Sequence, residues 1–148
     1  MNEIFETSRD GFTISTDPAR LNMDLIHHTL STESYWAEGR SRDLCDRAFS
    51  GSLPFGIYAA DGAQVGWARV VTDRATFAYL ADVWVLASHR GQGLSKFLVA
   101  AMLEHPDLKD LRRWTLFTKD AHGLYEQFGF TGIAEPHKAM ERRAPPQR

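Results

Sequence analysis

At 148 residues, with 43% hydrophobic and 24% charged side chains, the chain has the size and balance of one globular domain. A formal net charge of −2 gives no electrostatic case for nucleic acid or an anionic membrane, and one cysteine excludes an internal disulfide. Met1–Asp10 is polar and lacks an apolar leader, and no apolar run is long enough to span a bilayer, so a cytoplasmic location is expected. The six histidines are scattered outside any ligand spacing, so no metal is expected.

A polar tail is expected over 1–10, then a short strand over Phe12–Ser15. Asp17 and Pro18 suit the N-cap and first position of a helix ending near Ser31, with Leu21, Leu25 and His28 on one face. Residues 34–40 hold two aromatics, Tyr35 and Trp36, in a polar setting, and Ser41–Phe49 reads as a second helix. There Cys45 has helical neighbours Leu44 and Phe49 and reads as core.

Pro54–Ala59 opens a run of strands, with Asp61-Gly62 a hairpin turn into Gln64–Val71. After a turn at Thr72–Arg74, a long strand is expected over Thr76–Leu86. A helix then carries Phe97, Leu98, Ala101 and Met102 at helical spacing and stops at Pro106. Trp114–Thr118 reads as a strand, Ala121–Phe128 as a short helix closed by Gly129. Thr131–Ile133 and Lys138–Arg142 read as two last strands, and 144–148 as a tail. The alternation gives an α/β domain, a mixed central β-sheet flanked by helices, in one unit over 1–148.

Two stretches carry chemistry. In Arg90-Gly91-Gln92-Gly93-Leu94-Ser95-Lys96, an apolar strand meets a helix through a glycine pair. The first amides of such a helix lack internal partners and lie at the positive end of its dipole, an arrangement that binds phosphate. No Gly-Lys-Ser/Thr follows, so this is not a Walker loop, nor does it hold the three glycines of a dinucleotide fingerprint. The second stretch is Asp120-Ala121-His122-Gly123-Leu124-Tyr125-Glu126-Gln127-Phe128-Gly129-Phe130. As plain structure it is a short helix in which Tyr125 is a half-buried core residue and His122 faces solvent.

The first stretch resembles the Gln/Arg-x-x-Gly-x-Gly/Ala loop of the GNAT family, the Gcn5-related N-acetyltransferases, with Ser95 at the last, small position. The second resembles that family's Ala-x-x-Leu-Tyr-Glu-x-x-Gly-Phe motif, and the two stand in the family's order. The element order matches nearly the whole chain, most closely over Val65–Phe130.

The resemblance implies a GNAT acyl-CoA N-acyltransferase fold and transfer of the acetyl group of acetyl-CoA to a primary amine. The amides of Gly91, Gln92, Gly93, Leu94 and Ser95 would grip the diphosphate. Arg90 would add charge, and Lys96 either adds to it or is solvated. The main chain of Val83 and Val85 would pair with the pantetheine arm, and a strand N–H would polarise the thioester carbonyl. Thr118 replaces a family asparagine that helps hold that arm. Tyr125 would protonate the departing thiolate.

For the base, Asp82 is the lone carboxylate of the long strand, and its burial would raise its pKa. A structural role for Asp82, or water as base, stays open. Tyr35, Trp36 and Arg40, together with Glu135-Pro136-His137, would line the acceptor pocket; the aromatics beside the arginine form lid packing in the alternative. Family members are often homodimers. The alternative is a non-catalytic acyl-CoA sensor on the same fold.

Overall fold

The computed structural model describes residues 3–145; the outermost parts of both expected tails lie outside the described residues. One six-stranded sheet runs in sequence order: β1 (Glu6–Arg9), β2 (Phe12–Ser15), β3 (Leu53–Tyr58), β4 (Gln64–Thr72), β5 (Phe77–Val85) and β6 (Arg113–Leu116). Neighbours from β1 to β5 are antiparallel, and β6 is parallel to β5. That parallel step requires a crossover, which α3 (Leu94–Glu104) supplies.

α1 (Met23–Glu33) and α2 (Arg42–Ser50) cover one face of the sheet. Ile26, Leu30, Cys45 and Phe49 pack there around Trp67. α3 and the short α4 (His122–Glu126) cover the other, where Leu98, Met102 and Tyr125 meet Phe55, Ile57 and Val70. β3 lies between the two layers and is buried along its whole length. Each fully buried Leu or Phe of this kind is worth about 1.5–3 kcal/mol.

Four expectations change. Residues 6–9, expected as tail, form β1, because Asp10 (φ 52) and Gly11 (φ 83) make a tight two-residue hairpin onto β2. Asp17 does cap a helical start, but only of a 3-10 turn over Pro18–Arg20. α1 begins at Met23, where the Asn22 side chain accepts the Leu25 amide. Thr131–Ile133 and Lys138–Arg142 form no strand among the described residues; only a 3-10 turn, Pro136–Lys138, interrupts an exposed path. Ile133 is 53% and Met140 97% exposed, so the segment has no apolar face to bury against the sheet. Lastly, β6 stops at Leu116 rather than Thr118.

Candidate active site

The site begins where β5 and β6 part. Their register ends at Leu80 opposite Leu116, while β5 continues to Val85. Ala81–Val85 therefore has no strand partner on that side, and its main chain faces a cleft of about 690 Å³. Residues from both sheet faces line this one cavity: Trp36, Arg40, Arg69 and Asp82 from the α1/α2 side, Ser95 and Tyr125 from the α3/α4 side.

β5 carries a bulge at the split. Trp67 pairs with Trp84, but Arg69 pairs with Ala81, so β5 holds one residue more than β4 across this interval. Asp82 sits in it at φ 55, a left-handed conformation rare outside glycine and tolerated best by Asn and Asp. Simple alternation from Ala78 and Leu80, which pack on the α3 side, would send Asp82 to that side too. The bulge turns its carboxylate to the opposite face instead.

There Asp82 meets three donors. Trp36 Nε1 donates to Oδ1 at 2.7 Å. Arg40 donates from Nη1 to Oδ2 at 2.8 Å and from Nη2 to Oδ1 at 3.2 Å. Arg69 Nε donates to Oδ2 at 2.6 Å. The Asp82 side chain is 1% exposed, and those of Arg40 and Arg69 are 14% and 16% exposed. Burial alone pushes the carboxyl pKa up; the two guanidinium groups outweigh it and hold Asp82 below the usual carboxylate range. The direction is thus opposite to the one expected from burial.

The glycine stretch forms a tight turn into the first turn of α3. Gly91 (φ 82) and Gly93 (φ 76) are both left-handed, and open space surrounds Gly91 where a side chain would begin. Gly93 is the N-cap of α3, and no side chain caps that end, so the amides of Leu94, Ser95 and Lys96 are left for another acceptor. A smaller hollow of about 300 Å³ lies here, lined by Val85, Arg90, Gly91, Gly93, Leu94 and Ser95 among others. Gln92 is exposed, and its side chain donates back to the His89 carbonyl. Arg90 folds toward the strand: its Nε donates to the Val85 carbonyl at 2.9 Å, and its guanidinium lies over the Trp84 ring. Val83 remains half-buried on the α3-side core.

Tyr125 is 7% exposed, and burial pushes its phenol up to about 12. The hydroxyl is therefore protonated throughout the neutral range. Thr118 Oγ1 accepts the Ala121 amide at 3.0 Å and so holds the start of α4; its own proton remains available as a donor. Tyr35 reaches across the cleft, where its hydroxyl accepts the Lys119 amide at 3.1 Å and its ring stands edge-on to Trp36. Glu135, Pro136 and His137 are exposed and do not line the cavity.

Two residues escape sequence reasoning. Arg69 was legible only as a charge in an otherwise apolar strand, the same signal that singles out Asp82. Arg9, from the N-terminal hairpin, donates from Nη2 to the Gly93 carbonyl at 3.2 Å and lies over the Phe97 ring. No local pattern links positions 84 residues apart. Among the described residues, no group of three or more His, Cys, Asp or Glu is placed to hold a metal, and no helix is long and apolar enough to cross a membrane.

The model of the acetyltransferase (GNAT) family matches residues 23–130, spanning both glycine motifs. A crystal structure of a GNAT-family protein from Xanthomonas campestris pv. campestris, whose acetyltransferase assignment is provisional, superposes with a TM-score of 0.86. It is 48% identical, over 98% of this chain and 96% of that one. The protein FG08082 of Gibberella zeae, likewise a provisional acetyltransferase, is 31% identical over 80% of this chain and 77% of its own length. The spermidine N-acetyltransferase of Vibrio cholerae, solved with CoA and spermine, shares the fold at a TM-score of 0.63 and 19% identity, covering 83% of this chain and 82% of that one.

Proposed function

Because the chain belongs to the GNAT family of acetyltransferases, we propose that it moves the acetyl group of acetyl-CoA to a primary amine of a small-molecule acceptor, by direct attack in a ternary complex. The observation that carries this reading is the continuity of the cleft. One cavity joins the first turn of α3, the unpaired stretch of β5, Tyr125 and the Trp36/Arg40 wall.

The residues fit the carrier. Uncapped amides at Leu94 to Lys96 suit its diphosphate, and the glycine φ values keep that surface free of side chains. The free flank of Ala81–Val85 offers main-chain partners to an extended amide-bearing arm, in the way a strand would. Thr118 can add one donor. Much of the rate gain then comes from holding amine and thioester together.

In the reaction the amine nitrogen bonds to the acetyl carbon, and the C–S bond breaks. One proton leaves nitrogen and one arrives at sulfur. Tyr125, with its phenol at about 12, is a weaker acid than a thiol near 8.5. It therefore serves as hydrogen-bond donor to the sulfur as charge develops there, and the thiolate takes its proton from water, which balances the proton that water accepts from the amine. Asp82 is assigned to positioning, not proton abstraction, because arginine and tryptophan donors already occupy both its oxygens. Water takes the amine proton in this scheme.

The test is release of free CoA thiol across a panel of amines, alongside melting shifts with acetyl-CoA, ATP and NAD. Thiol release with at least one amine, and a shift with acetyl-CoA alone, are expected. A protein that melts identically with and without acetyl-CoA would sink the reading.

A further inference from the structure

The acceptor end of the cleft contains an unbalanced charge. Arg40 and Arg69 both converge on one carboxylate, Asp82, so this half-buried cluster holds two cations against one anion. The other charged groups lining the cavity do not cancel the excess at that depth. Glu33 and Asp120 are exposed at the rim, and Arg90 is held at the Val85 carbonyl. Arg69 spends Nε on Asp82 and Nη1 on the Ser52 hydroxyl; its Nη2 donates to no atom of the described residues.

Desolvating two guanidinium groups is costly, and Asp82 compensates only one of them. The aromatic rings of Trp36, Trp84 and Tyr79 line the same cavity. A planar oxyanion is the partner that a guanidinium fork recognises best.

Resting on the acetyl-transfer reading, we propose that the acceptor carries an oxyanionic group, a carboxylate or phosphate, beside its amine. That group docks on Arg69 and Arg40, and Asp82 holds both guanidinium groups in place for it. The amine then points along the cleft toward the Tyr125 end. The acceptor class is an amino acid or amino phosphate, not a polyamine.

The experiment compares acceptors that share a body and differ in charge. Phenylalanine, phenylalaninamide and phenethylamine form one series; phosphoethanolamine and ethanolamine form the other and separate phosphate from carboxylate. The intact chain is assayed for thiol release, and binding of the same compounds to CoA-saturated protein is measured by calorimetry. The anionic member of at least one series is expected to have kcat/KM about 10–100-fold above its neutral partner, the range of one charge-assisted hydrogen bond.

Arg69→Gln is expected to erase that ratio chiefly through KM, and Arg69→Lys to restore part of it; the acetyl-CoA melting shift checks that each variant is folded. Neutral amines used as well as their anionic partners would overturn the proposal, as would a ratio untouched by Arg69→Gln. Binding of the anionic members without thiol release would support the docking site while ending the acetyl-transfer reading, so the two fail separately. The wild-type series decides the matter even if a variant does not fold.

Discussion

Tyr125 and Asp82 show how differently two buried acids can be used. Tyr125 keeps its proton because burial raises its phenol to about 12. Tyr125→Phe is expected to lower kcat by roughly 10–1000-fold with little change in melting temperature, as steady-state kinetics on an accepted amine will show. Asp82 is ionised because two guanidinium groups overcome its desolvation. Asp82→Asn keeps a side chain that tolerates the left-handed backbone yet leaves two half-buried cations uncompensated, a loss of about 3 kcal/mol at pH 7. Its folded pKa is depressed, so the stabilisation is complete above the unfolded value near 3.9 and disappears as pH falls through the folded value. Urea titrations of wild type and variant should therefore differ at pH 7 and converge at the acid end. Tyr125 was legible because its flanking letters form a motif, and Asp82 because an acid interrupts an apolar run. The partnership of Asp82 with Arg69 was not, since it depends on which strand lies beside which and on a bulge that leaves no mark in the period-2 pattern.

Elements place these side chains, and glycine decides two of the placements. Gly93 ends the loop and starts α3 with its amides open. Gly93→Asp puts a carboxylate where the diphosphate would lie and forces a side chain to φ 76; calorimetry should find acetyl-CoA binding abolished. Gly56, in the buried strand β3, supports the ring of Tyr58: a Cβ there would come within 2.3 Å of the Tyr58 hydroxyl and 2.6 Å of its Cζ. Gly56→Ala should destabilise by about 1–3 kcal/mol in chemical denaturation, because the ring sits in a packed layer with nowhere to retreat. The helices and central strands were readable from apolar period and capping residues. The first strand was not, since β1 is exposed and polar and gains its conformation from a two-residue turn and its neighbour β2. Residues 131–142 failed in the other direction: short stretches with strand-forming letters stay irregular when no apolar face drives them onto an edge.

Across the whole molecule, the sheet serves as a partition with one doorway, the parting of β5 from β6. Among the described residues, side chains from both layers line the one cavity that opens at this parting. The same dense layers give an expectation for alkaline pH. Burial pushes Tyr58 and Tyr125 up to about 12, against an ordinary value near 10. A raised folded pKa means that the stabilisation is intact below pH 10 and is lost as pH climbs toward 12. Melting temperature should accordingly hold to about pH 10 and fall beyond it, and Tyr58→Phe should flatten that fall.

The guanidinium of Arg9 on the Gly93 carbonyl makes the opening hairpin part of the doorway's frame, 84 positions away in sequence. A fusion tag placed ahead of Met1 is then no neutral handle. Bulk or charge added there enters the chain eight residues before the side chain that bonds the start of α3, so under the proposed function acetyl-CoA affinity is expected to differ between tagged and cleaved protein.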